Sequence, residues 1–233
     1  MNSFTFNGIS SDTFGLYISE KDIYSAPQRD VSLIAVPGRN GDVLIDNGRY
    51  CNVDVSYTVA FRGTKEKAAA IRQWLCGSTG YFQLSDSYQP GYFRLASFAS
   101  KLNIAELLEN VGQAQIVFSC KPFRYRNDGQ TAVTLTASGR TVTNPEAFSS
   151  EPQITIYGSG NVTLTVGNRS YPVTGINGSI TLDSELMCAY KGDTLCNSKI
   201  GFSEFPLFSP GSNLIQWTGS VTKLVIVPRW RSL

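Results

Sequence analysis

The chain has 233 residues, of which 42% are hydrophobic, 12% aromatic and only 16% charged. That length suffices for two domains with real cores, and the low charge fits either a partner-covered surface or an ordinary β-rich composition. There is no histidine, which excludes His-based general base catalysis, Ser-His-Asp and Cys-His nucleophile systems, and His-rich metal sites.

The net charge of +2 is not polarised along the chain. The densest basic clusters, Lys121/Arg124/Arg126 and Arg229/Arg231, are too short to neutralise a phosphate backbone, so no sequence-specific nucleic-acid partner is expected. The cysteines at 51, 76, 120, 188 and 196 are odd in number and include no C-x-x-C pair. They are expected to be reduced, mostly buried thiols of a cytosolic product, with neither zinc nor redox work and no cofactor. Met1-Asn2-Ser3-Phe4-Thr5 lacks the charged and apolar regions of a secretory signal. No apolar run approaches the roughly 20 residues that span a bilayer, so membrane insertion is not expected.

In chain order, Val31–Val36 and Val43–Ile45 flank Pro37-Gly38-Arg39-Asn40-Gly41-Asp42, which reads as a hairpin with a protruding loop. Asn47-Gly48 is expected to turn the chain into a long strand, Cys51–Phe61, whose odd positions are apolar. Residues 64–75 form the one convincing helix. Gly63 or Thr64 can cap it, Glu66 sits in its first turn, and Ala68, Ile71, Trp74 and Leu75 make a buried stripe. Strands follow at Tyr81–Leu84 and Tyr92–Ala96, a short helix or irregular strand at Ile104–Asn110, and an alternating strand at Ala114–Cys120.

After residue 125 aromatics thin out. Short Thr-, Ser-, Gly- and Val-rich runs alternate without a helical period, as at 153–157, 162–166, 171–173, 179–182 and 223–227. Gly158-Ser159-Gly160 reads as a hairpin turn, since the third glycine and following helix of a dinucleotide loop are missing. The composition describes a β-sandwich. The expected fold is mainly β with one helix, divided into domains 1–125 and 126–233.

No catalytic constellation emerges. Asp183 and Glu185 share a strand face but read as a polar strand end or turn. Trp217, Tyr190 and Trp230 suit a sandwich core better than a sugar-stacking platform. The chain is therefore expected not to be an enzyme. A carbohydrate-binding adhesin acting through residues 126–233 is the alternative reading.

Several segments taken in order resemble a known family. They are Phe4-Thr5-Phe6-Asn7-Gly8, Phe14–Ile18, Ser25–Arg29, Val36–Gly41, Ile71-Arg72-Gln73-Trp74-Leu75 and Phe118–Tyr125, followed by Ile180–Glu185, Phe205-Pro206-Leu207, Pro210–Ile215 and Pro228–Arg231. The order is similar to the distal tail proteins (Dit) of long, flexible-tailed bacteriophages, especially those of Gram-positive hosts. Asn40 departs from the acidic residue expected in many relatives.

The resemblance implies a virion structural protein, made in the host cytoplasm and located at the phage tail tip. Its amino-terminal domains, a split-barrel-like sheet with a packed helix, would form a hexameric ring. Its carboxy-terminal, galectin-like sandwiches would hold baseplate or receptor-binding parts. The ring would meet the tail tube protein on one side and the tail-associated tip protein (Tal) on the other. Phe4, Phe6, Pro37, Gly38, Arg39, Asn40, Gly41 and Asp42 are the candidate interface residues, because an apolar start and a protruding hairpin are both sticky for a monomer.

Overall fold

A period-two pattern commits a segment to a sheet with one face in the core, and most of this chain obeys it. In the computed structural model, which describes residues 2–63, 65–102, 104–108 and 111–233, the protein is mainly β with one α-helix among the described residues. It divides into two compact units, Met1–Arg124 with Leu233, and Tyr125–Ser232.

The first unit is organised by strand Val53–Arg62. Its odd residues Val53, Val55, Tyr57, Val59 and Phe61 are buried, while the even ones face outward. It pairs antiparallel with Val111–Arg126 on one side and Tyr17–Asp22 on the other. The sheet continues beyond Val111–Arg126 through Tyr92–Ser97 and Phe82–Asp86 to Phe4–Phe6. Helix Lys65–Cys76 buries Ile71, Trp74 and Leu75, with Ala68 packed beside them. Glu66 places its charge at the positive helix start; the cap assigned to Thr64 lies outside the described residues.

An aromatic cluster ties the amino-terminal strand to the helix and sheet. Phe4 stacks on Tyr57 at 4.6 Å, Phe6 lies 4.8 Å from Phe118, and Phe14 stacks on Trp74 at 4.8 Å. The Trp74 indole donates to the Phe6 carbonyl at 3.2 Å, giving this buried N–H its partner.

Two expectations change. Asn47-Gly48 does not turn the chain; it sits inside strand Val43–Tyr50 as a bulge, where Gly48 at φ 73° absorbs the extra residues. Of the two forms expected after residue 103, the strand is the one found, at Ile104–Leu108, and positions 109 and 110 lie outside the described residues. Gly158-Ser159-Gly160 is no hairpin turn either.

That last difference organises the second unit. Strands Gln153–Val166 and Arg169–Asp183 are continuous partners joined at Gly167-Asn168, and Gly211–Val227 pairs along the other side of the first. Ile154 and Ile156, from one half of the first strand, share a core with Val162, Leu164 and Val166 from the other half. These are all alternate positions of one strand, and both ladders slip register at its middle. A Cβ at Gly158 would lie 2.1 Å from the Ser220 carbonyl oxygen, and one at Gly219 would lie 2.4 Å from that of Asn161. Only glycine permits so close an approach of neighbouring strands. The glycines lie inside one continuous sheet, not at the ends of separate strands.

Candidate assembly interface

One element belongs to neither core. Strands Arg29–Ile34 and Val43–Tyr50 form a two-stranded sheet of their own. At ~3.3 Å per residue this arm is about 20 Å long. Cross-strand partners share a face, so the register puts Leu33 with Leu44 on one side and Ile34 with Val43 and Ser32 with Ile45 on the other. Both faces carry apolar side chains at the far end. Leu33 is 63% exposed, Leu44 60%, Ile34 47%, Ile45 45% and Val36 40%.

The base of the arm is polar and pinned. Cys51 N–H donates to the Gln28 carbonyl at 2.8 Å. Arg29 grips Asp46 through Nε and a terminal nitrogen, the shortest contact being 2.6 Å. Asp30 accepts from Asn47 at 2.9 Å and Arg49 at 2.6 Å, and Gly48 N–H donates to Asp46 at 2.8 Å. The Arg29 hydrogen bonds and then the Gly48 N–H hold the Asp46 carboxyl below its ordinary range. Those from Asn47 and Arg49 do the same for Asp30. The groups are solvated, so their worth is register and stiffness more than stability. Arg29 also lies over the Tyr50 ring at 4.9 Å, and Tyr50 meets Phe123 edge-on at 5.9 Å.

A lone two-stranded hairpin is at best marginal in water. Here a pinned base carries an apolar tip that its own unit does not cover. Such exposed apolar surface is what marks a protein contact.

The sequence-derived interface residues separate into two groups. Pro37, Gly38, Arg39, Asn40, Gly41 and Asp42 are all exposed at the arm's tip. Phe4 and Phe6 are 0% and 1% exposed, which corrects their assignment: both rings pack inside their own unit and present no surface to a partner. The flanking residues Leu33, Ile34, Leu44 and Ile45 were not singled out. Their signal was visible, since consecutive apolar residues, unlike alternating ones, place apolar side chains on both faces of a strand.

The other candidate chemistry resolves into structure. Asp183 is buried, and Arg229 holds both its oxygens at 2.7 and 2.9 Å, with Gln153 adding a bond at 3.1 Å. Burial pushes the Asp183 carboxyl up, but the Arg229 and Gln153 hydrogen bonds and the Leu186 N–H outweigh it, and the net shift is downward. Asp183 ends its strand and Glu185 lies in the turn that follows, as read from the sequence, but the paired, buried Asp183 is not available as an acid beside Glu185, which itself lies 3.5 Å from Arg229. Trp230 is buried, Trp217 packs against the core, and the Tyr190 hydroxyl accepts from Gln153 at 2.8 Å. These aromatics form no open platform.

All five cysteines are free. Cys120 is buried, with burial raising its pKa to about 12, but Cys76 is exposed and the other three are half-buried, contrary to the expectation of mostly buried thiols. Among the described residues no cluster suited to a metal occurs, and no helix is long and apolar enough to cross a membrane.

No family model matches the chain, and no curated protein matches it in sequence. Among solved structures, the whole chain is similar to the crystal structure of the SPP1 Dit protein. That protein is described as a paradigm of the hub adsorption apparatus in phages that infect Gram-positive bacteria. The match has a TM-score of 0.77 and covers 100% of both chains at 11% sequence identity. The two proteins share a fold.

Proposed function

We propose that this protein is a structural hub of a bacteriophage tail, the role its sequence resemblance implies. The carrying observation is the likeness in fold over the full length of both chains to a phage hub protein. The exposed arm supports it, because a ring subunit needs two different complementary surfaces and an uncovered apolar hairpin is suited to be one of them.

On this reading the first unit assembles into a hexameric ring at the distal end of a long tail. The ring meets the tail tube on one face and the tip protein on the other. The second unit, a galectin-like sandwich, supports baseplate or receptor-binding components. Each stable subunit contact should bury on the order of 1,000 Å² or more. A near-neutral chain suits a lumen through which DNA slides, since a basic lining would hold phosphates.

Negative-stain imaging and light scattering of the full-length protein, alone and with a tail tube protein, test this proposal. Six-fold rings or a stable tube complex are expected. A monomer that never rings and ignores the tube would refute the proposal.

A further inference from the structure

Four asparagines in this chain precede glycine: Asn7, Asn40, Asn47 and Asn177. Asn-Gly is the peptide unit most open to intramolecular imide formation, because glycine leaves its own nitrogen unhindered. The reaction needs that nitrogen to swing onto the asparagine side-chain carbon, so any hydrogen bond holding either group must break first. The four sites differ in whether these groups, or the backbone around them, are held.

Asn7-Gly8 is the two-residue connection between Phe6 and Ile9, which pair directly across it. Its φ values of 50° and 76° are those of a tight primed turn, and Asn7 N–H is tied to Gln83 at 3.1 Å. Asn47 donates its side-chain amide to Asp30, while the attacking Gly48 N–H is held by Asp46. Asn177 and Gly178 lie within a ladder opposite Ser159 and Gly158, and the Asn177 carbonyl accepts from Lys191 at 2.7 Å.

Asn40-Gly41 lies in the loop at the arm's tip, outside the paired segments and exposed. Among the described residues neither the Asn40 side chain nor the Gly41 N–H has a hydrogen-bond partner. Nothing lies within 4 Å of where a Gly41 Cβ would stand, so the backbone has room to move.

We propose that Asn40 is a selective site of spontaneous deamidation. The Gly41 nitrogen attacks Asn40 Cγ, and a C–N bond closes a five-membered imide. The Cγ–Nδ2 bond breaks, and the nitrogen leaves as ammonia carrying the Gly41 amide proton. Water then opens the imide at either carbonyl, giving aspartate or isoaspartate at position 40. The product places a carboxylate beside Asp42 and Arg39 on the arm's tip. The isoaspartyl form also adds one backbone atom to the loop. The site depends on the local geometry of the uncovered arm; a partner seated on the tip would slow the reaction there without creating it at another position.

The test is ageing the full-length protein in mildly alkaline buffer, followed by peptide mapping with mass spectrometry. Residue 40 should convert about tenfold or more faster than residue 47, whose two hydrogen bonds must open first. Asp30→Ala, which frees the Asn47 amide, should speed conversion at 47 and leave 40 unchanged. Asn40→Gln should remove the dominant product without altering the thermal melt. Equal rates at the four sites, or faster conversion at 7, 47 or 177, would overturn the proposal.

Discussion

Two hairpins in this molecule have comparable sequences and opposite fates. The pair Gln153–Val166 and Arg169–Asp183 slips register near its glycines and buries Ile154, Ile156, Leu164 and Ile180 almost completely. The pair Arg29–Ile34 and Val43–Tyr50 carries leucine and isoleucine at similar density yet leaves Leu33, Ile34, Leu44 and Ile45 in solvent. Hydrophobicity alone does not tell them apart. What differs is periodicity: the first alternates and feeds one core, while the second is apolar at successive positions and would need cover on two sides. An apolar strand that its own domain leaves uncovered is a candidate surface for another chain.

Core truncation should have the largest effect on folding. Phe118 touches Phe4, Phe6, Tyr57 and Phe98 at 4.8–6.3 Å between ring centres, so Phe118→Ala should cost about 4 kcal/mol in denaturant unfolding. Leu164→Ala, in the packed hairpin, should cost about 3 kcal/mol. Asp183→Ala leaves Arg229 without its principal carboxylate and should cost a similar amount, about 3 kcal/mol.

The same pair predicts an acid dependence. The folded-state pKa of Asp183 is depressed, so its contribution is fully present above the unfolded value of about 3.9 and is lost as pH falls through the folded one. Acid titration of the wild type should show this loss below about pH 4, and Asp183→Ala should flatten it.

The smallest folding effect belongs to the arm. Leu33→Ser with Leu44→Ser should change unfolding free energy by no more than about 0.5 kcal/mol, while abolishing self-association. A large destabilisation would mean the arm is packed in the free molecule and would erase the contrast between the hairpins.

Much of the fold could be read from alternation. Val53–Arg62 and the helix stripe of Ile71, Trp74 and Leu75 lie within a residue or two of expectation, because each buries one regular face. The role of the mid-strand glycines was not readable. Gly158 and Asn177-Gly178 look like turn signals, and only the close approach of the neighbouring strand at Ser220 shows that they lie inside a continuous sheet. The exposed candidate surface was half readable for the same reason. The Pro37–Asp42 loop announces itself by its turn residues, but an apolar Phe4 or Phe6 looks identical whether a partner or its own helix covers it. Long-range packing decides that, and local pattern carries no record of it.

Sedimentation velocity across a concentration series, comparing wild type with the Leu33→Ser/Leu44→Ser variant, tests the central claim most directly. The wild type should form a discrete oligomer and the variant a folded monomer. A wild type that stays monomeric at every concentration, or a variant that assembles equally well, would contradict the role given to the arm.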